Sequence, residues 1–173
     1  MKTIQVLLVF CIGMLFFSCV KETKPDAKTE TPSTPLNDSA FHLNPALLLQ
    51  LVNDVRQVGC TCGSTVMPAV PALAWNSILA SAADTHSIDM NTNSFLSHTG
   101  SDGSSPADRI TAAGYVWQSW AENIASGYTS EQAVMNGWLG SEPHCKNIMS
   151  PNIKELGVAR EGNYWTQDFG THQ

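Results

Sequence analysis

"ELGVAREGNYWTQDFG", residues 155–170, sets two strand-forming runs, ELGVAR and YWTQDF, on either side of Glu161-Gly162-Asn163. A Gly/Asn turn between two such runs predicts a closing β-hairpin. The segments before it read as helices. Thr129-Ser130-Glu131-Gln132 fits a capping box, and Val134, Met135, Trp138 and Leu139 give the helix it opens an apolar face. Further back, SHTGSDGSS (97–105) is a turn-rich loop, and Pro106 starts a short helix that ends near Gly114. A longer helix is expected from about Asn76 to Met90, with Leu79, Ala82, Ala83 and His86 on one stripe. Residues 59–75, GCTCGSTVMPAVPALAW, are punctuated by Gly and Pro and read as a loop. Before them, Asn44 caps and Pro45 opens a helix to about Val58 whose apolar face is Leu48, Leu51, Val52, Val55 and Val58. Residues 40–173 thus make one domain with a single core, helices surrounding a small sheet.

The N-terminus indicates a compartment. Met1-Lys2-Thr3 is a short positive segment, and Ile4 to Phe17 is an uncharged, mostly apolar run too short for a comfortable membrane span. Residues 1–18 therefore read as a signal peptide. The run closes on Leu15-Phe16-Phe17-Ser18-Cys19, which resembles the lipobox of bacterial lipoproteins, where the cysteine is lipidated and becomes the new N-terminus. The competing reading is an ordinary signal peptide with an incidental cysteine. Acyl chains on Cys19 would anchor the chain to the bacterial cell envelope outside the cytoplasm, in the outer membrane or at the cell surface if the cell is Gram-negative, without spanning the bilayer. Residues 19–39, rich in Lys, Glu, Thr and Pro, bury almost nothing and read as a disordered tether.

Charge narrows the partners. The whole chain has nine Lys and Arg against fifteen Asp and Glu, and residues 40–173 have five against eleven. That balance argues against nucleic acid and against a polybasic membrane-binding surface. No phosphate-binding or dinucleotide-binding glycine pattern occurs.

With Cys11 in the signal peptide and Cys19 at the lipidation site, Cys60, Cys62 and Cys145 remain. In an oxidising compartment one pair should bridge and one thiol stay over. Cys60 and Cys62 are too close for easy mutual bridging, so Cys145 is expected to bridge back to Cys62 or to Cys60. His144 directly precedes Cys145, but sequence neighbours point apart on a helix or strand, so the two do not read as a nucleophile and its base.

Leu73-Ala74-Trp75-Asn76, Ala82-Ala83 with His86 and Asp89-Met90, and Phe95-Leu96-Ser97-His98-Thr99-Gly100 begin an ordered series. It continues through Asp102-Gly103, Asp108-Arg109-Ile110, Gly114-Tyr115, Glu122-Asn123-Ile124-Ala125, Trp138-x-x-Ser141, His144-x-x-Asn147-Ile148, Leu156-Gly157-Val158-Ala159 and Tyr164-Trp165-x-Gln167-x-Phe169-Gly170. In that order, from about Leu47 to Gly170, the chain resembles the CAP superfamily, also called the SCP domain. The resemblance implies an α/β fold, an α-β-α sandwich with helices flanking a small, mostly antiparallel sheet and a C-terminal hairpin. Cys62-Gly63 and His144-Cys145 match the two halves of a cysteine pair in bacterial members, which implies a Cys62–Cys145 disulfide.

The resemblance also implies a cleft. Relatives gather two His and two Glu that can hold a divalent ion such as zinc; His98 matches the first histidine, Glu122 the first glutamate and His144 the second histidine. Ser141 stands where eukaryotic members have the second glutamate, and Glu142 beside it offers a carboxylate of unknown direction. Ala121 replaces the usual glycine before Glu122, so a positive φ is not expected there. Two imidazoles and one carboxylate leave a position for water, the ligand set of several catalytic zinc centres, with Glu122 as the candidate catalytic residue. His86 reads as a buried, satisfied histidine. Asp102-Gly103 reads as a turn rather than a calcium loop. Trp117, Trp120, Trp138 and Trp165 read as core or groove lining. Three functions follow: a lipid-tethered binding module for a small amphiphile or an envelope or host polymer; a metal-dependent hydrolase of peptide or cell-wall material; and a structural or interaction domain. The missing glutamate weakens catalysis more than binding.

Overall fold

The computed structural model describes residues 41–173; the segments expected to be a signal peptide (1–18) and a lipidated cysteine with its tether (19–39) lie outside the described residues. Eleven elements follow in order: α1 (Pro45–Val58), β1 (Cys60–Cys62), β2 (Thr65–Met67), β3 (Ala74–Trp75), α2 (Ser77–Asn93), α3 (Pro106–Ala112), β4 (Trp117–Ser126), α4 (Glu131–Gly140), α5 (Glu142–Ile148), β5 (Glu155–Glu161) and β6 (Tyr164–His172). The main sheet has the order β3-β5-β6-β4, with β3 parallel to β5 and the remaining pairs antiparallel. β5 and β6 form the expected hairpin, and Gly162 at its turn takes φ 56, a left-handed value that glycine adopts without cost.

Strand alternation sorts the sheet into two faces. Leu156, Val158, Trp165 and Phe169 join the larger core with Leu48 and Val52 of α1, Val134 and Trp138 of α4 and Cys145 and Ile148 of α5. The opposite face carries small and polar residues. There Gly157 meets the α2 backbone, Ser87 Oγ donates to Thr166 Oγ1 at 2.9 Å, and Gly170 lies under Tyr115. A second cluster of Leu79, Ala82, Ile110 and Tyr115 closes the α2–α3 layer. The result is the α-β-α sandwich.

Gly157 sets how closely α2 approaches the sheet. A Cβ there would fall on the backbone nitrogen of Ala80 and the carbonyl carbon of Leu79, and neither can give way as a side-chain end would. Gly157→Ala is therefore expected to cost about 1–3 kcal/mol, as overpacking does. Urea unfolding of the variant checks it; a midpoint equal to wild type would show that the helix slides freely.

The helix expectations at Asn44/Pro45, Asn76 and Pro106 hold: Asn44 accepts from Leu47 N at 2.9 Å, Asn76 from Ile78 N at 2.9 Å, and Pro106 is the first residue of α3. Four readings need correction. The reciprocal capping box lies at Ser105 and Asp108, whereas α4 is capped by Ser130, one residue later than the Thr129 box expects. Val58 is 77% exposed because the buried stripe of α1 runs through Leu48, Val52 and Arg56, and Val58 lies off it. Residues 59–75 are not a plain loop: β1 and β2 pair Cys60 with Met67 and Cys62 with Thr65, and β3 adds an edge strand. Finally, β4 and α5 appear where no element is expected. β4 buries Glu122 and Asn123 in mid-strand, which hides its apolar pattern, and α5 is a seven-residue helix with Pro143 in its first turn.

Candidate functional site

β4 is an edge strand of the main sheet, so its flank stays open between the two helical layers. Alternation sends Glu122 to the α2–α3 face, opposite Asp168, and Asn123 to the α4–α5 face, opposite Gln167. The loop after α2 brings His98 to Glu122: His98 Nδ1 meets Glu122 Oε1 at 2.6 Å. On the other oxygen, Arg109 Nη2 of α3 donates to Glu122 Oε2 at 2.7 Å. The same nitrogen donates to the His98 carbonyl at 3.0 Å, so Arg109 holds both the carboxylate and the backbone that carries the imidazole. Glu122 is 1% exposed in its side chain, Arg109 6% and His98 52%. A buried carboxylate thus orients a ring whose other nitrogen is left for whatever enters the cleft.

Asp168 lies behind this pair. Its complete burial, reinforced by the Glu122 charge and opposed by Arg109, pushes its carboxyl well above the ordinary carboxylate range. Neither Arg109 nor Asp168 stands out in the sequence as a site residue, although Asp108-Arg109-Ile110 belongs to the motif series.

His144 reaches the cleft from α5, in the opposite layer. Its helix is tied to β4 by amides: Asn123 Nδ2 donates to the His144 carbonyl at 3.2 Å and to Gln167 Oε1 at 2.9 Å, and Asn147 Nδ2 donates to Asn123 Oδ1 at 2.9 Å and to the Glu122 carbonyl at 3.3 Å. This chain of amides, invisible to hydrophobic patterning, joins the two layers under the cleft. His144 and Ser141 share a cavity of about 280 Å³ with Leu96, Ile124, Tyr128 and Trp138. Glu142 points elsewhere. Its carboxylate pairs with Lys146 Nζ at 2.6 Å and packs over Gly63 of the β1–β2 turn.

The residues are a poor fit to a three-ligand metal centre in this arrangement. Both Glu122 oxygens are engaged, one by His98 and one by the Arg109 cation. Among the described residues, the His/Cys/Asp/Glu group whose ligand atoms all lie within 4.8 Å of one another is Cys60, Cys62 and Cys145; His98, Glu122 and His144 are not such a group. The cysteines bridge as Cys62–Cys145, with a Cα–Cα distance of 5.4 Å, and Cys60 is left as a free thiol.

A family model described as CAP, the cysteine-rich secretory protein family, matches residues 49–169. The chain belongs to the CAP family. Two Bacillus subtilis proteins are similar to it: YlbC, described as an uncharacterized membrane protein, is 33% identical over 122 residues, 70% of this chain and 33% of YlbC. YkwD, described as an uncharacterized protein, is 30% identical over 141 residues, 80% of this chain and 50% of YkwD. The chain thus spans half or less of the length of these two curated relatives. A crystal structure of an extracellular SCP-domain protein from Bacillus anthracis matches with a TM-score of 0.62 at 28% identity, over 80% of this chain and 45% of that one.

Two histidines of this CAP domain stay neutral. Desolvation lowers the pKa of His86, which is fully buried with Nε2 at 2.8 Å from the Ser97 carbonyl, and desolvation followed by the nearby His98 lowers that of His144. The folded chain then binds fewer protons than the unfolded one below the ordinary histidine value of about 6.5. The stability they confer is complete above that value and is lost as pH falls toward their folded values. From about pH 7.5 to about pH 5, wild type is expected to lose more melting temperature than His144→Gln. Parallel curves would mean that His144 protonates in the folded chain as easily as in the unfolded one.

Proposed function

We propose that this CAP domain is an extracytoplasmic, lipid-anchored binding module whose β4 cleft takes a small amphiphile or a matching segment of an envelope or host polymer. One observation carries the reading. Leu96, Ile124, Tyr128 and Trp138 give the cleft an apolar wall, Ser141 and neutral His144 give it polar points, and no carboxylate is among its lining residues. Such a surface suits a ligand with an apolar body and one polar end. Compartment and anchor are supported by the lipobox-like Cys19 segment, by a disulfide of the kind that persists under oxidising conditions, and by likeness to an extracellular protein. With five basic residues against eleven acidic ones after position 39, nucleic acid is not among the proposed partners.

Solvent extraction of the purified chain followed by mass spectrometry, beside titration with fatty acids and cell-wall fragments, tests the binding reading. Leu96→Asp, at a half-exposed position on the cleft wall, is expected to weaken binding about tenfold without changing the fold. An empty cleft with no affinity for either class would reject the reading. For the anchor, Cys19→Ala should move the chain from the membrane to the soluble fraction.

Hydrolysis of peptide or cell-wall material is the second reading, favoured by the His98–Glu122 pair. A carboxylate-oriented, half-exposed imidazole has the arrangement of a general base. Turnover must then disappear in both His98→Ala and Glu122→Gln. Zinc calorimetry addresses the divalent-ion component: micromolar affinity lost in both His98→Ala and His144→Ala would place the ion in the cleft.

A further inference from the structure

Away from the cleft, three sulfurs meet where the β1–β2 hairpin packs on α5. Cys60 and Cys62 are two apart on β1 and so point to the same face, and Cys145 approaches that face from α5. Cys60 Sγ lies 3.6 Å from Cys145 Sγ and 3.8 Å from Cys62 Sγ. A sulfur almost equidistant from both halves of a disulfide sits beside the bond rather than in line with it. In-line approach is what thiol–disulfide exchange requires, and burial further raises the Cys60 thiol pKa, disfavouring the attacking thiolate.

The same distances suit another chemistry. Thiolates 2.3 Å from a tetrahedral zinc ion are about 3.8 Å apart, since a tetrahedron's edge is about 1.63 times its centre-to-vertex distance. Two of the three edges already have that length. The third opens when the disulfide is reduced and its sulfurs separate to van der Waals contact, which is also close to that length.

We propose that in the dithiol state Cys60, Cys62 and Cys145 form a three-thiolate site for a thiophilic d10 cation of the Zn²⁺ class, mutually exclusive with the Cys62–Cys145 disulfide. Reduction by a dithiol adds two electrons and two protons to Cys62 and Cys145, and the reductant becomes a disulfide. Binding then exchanges the three thiol protons for the ion. Reoxidation by a disulfide oxidant moves two electrons from the Cys62 and Cys145 thiolates to the oxidant, which leaves as a dithiol after taking two protons from water; the S–S bond is remade, the ion is expelled and Cys60 regains its proton. Cys60, the partly exposed member, provides the entry side, and Met67, its register partner across the hairpin, places a thioether on the same face. The fourth position is open to water.

The test uses the full chain in detergent, with Cys11→Ser and Cys19→Ser so that the other three of its five cysteines are its only thiols. The chain is reduced anaerobically with a phosphine and titrated with Cd²⁺ and with Zn²⁺. One ion per chain is expected, with the sulfur-to-cadmium absorption of three thiolates. Adding Cys60→Ser should lower that absorption by about a third and weaken Zn²⁺ affinity about a hundredfold, and the oxidised chain should show no such absorption. His98→Ala, which touches the cleft and not the sulfurs, should leave the sulfur-to-cadmium absorption unchanged. If reduction unfolds the chain, recovery of its circular dichroism on adding Zn²⁺ supports the site, and failure to recover overturns it. Absorption insensitive to Cys60→Ser, or binding abolished by His98→Ala, also overturns it.

Discussion

Arg109→Ala is expected to lower the unfolding free energy by about 3–5 kcal/mol, the cost of leaving one member of a buried ion pair without its partner. Glu122 is almost wholly buried, and its Oε2 accepts from Arg109 Nη2 at 2.7 Å. The same guanidinium donates to the carbonyls of Ser104 and His98, so its loss also frees the loop that carries the cleft imidazole. Arg109→Lys should recover little, because one ammonium cannot serve a carboxylate and two carbonyls along the planar fork of an arginine. Urea denaturation of the three proteins measures this. A loss below about 1 kcal/mol would mean that water reaches Glu122 and screens it.

Arg56→Ala should be as damaging, for a different reason. The Arg56 guanidinium is fully buried and meets carbonyls in place of a carboxylate: Nε donates to Pro71 O at 2.8 Å, Nη1 to Ile148 O at 2.6 Å and to Ser150 O at 3.0 Å, and Nη2 to Ile153 O at 3.5 Å. It joins α1 to the segment before β3 and to the turn between α5 and β5. Truncation strands several buried acceptors and leaves a cavity, which together come to roughly 3–5 kcal/mol. Arg56→Met, which keeps much of the volume, separates the two contributions. If Met restores wild-type stability, the carbonyls find water and the hydrogen bonds contribute little.

Both arginines show where reading the chain stops. Arg56 lies in α1 four residues after Val52 and eight after Leu48, so helical spacing puts it on the buried stripe, but a charged side chain gives no sign of what it meets there. Its partners are backbone carbonyls between 15 and 97 residues away, and carbonyls leave no trace in side-chain identity. Arg109 could be found only through the motif series, and its role becomes visible only once β4 is known to be an edge strand. β4 itself was hidden because Glu122 and Asn123 occupy its buried centre, where a strand pattern calls for apolar residues. Asp168 was hidden likewise, as a carboxyl in a buried strand facing a second carboxylate.

Local chemistry was legible. Proline at the first turn and Asn or Ser at the cap fix helix starts through the chain's own φ preference and its nearest N–H groups, so α1, α2 and α3 could be read directly. The closing hairpin follows from two β-forming runs and a glycine turn. Family membership followed from an order of short motifs, none of which identifies it alone. The choice of Cys62 over Cys60 came from that resemblance, since the residues by themselves left both open.

What the sequence determined by itself was therefore the elements whose signals lie within a few residues, the family, and the balance of charge. The tertiary structure decided that Glu122 orients His98 instead of standing free, that Glu142 turns to Lys146, and that three sulfurs converge. Direction and distance between residues far apart in the chain depend on how two helical layers pack on one sheet, and burial then sets which charges must be paired.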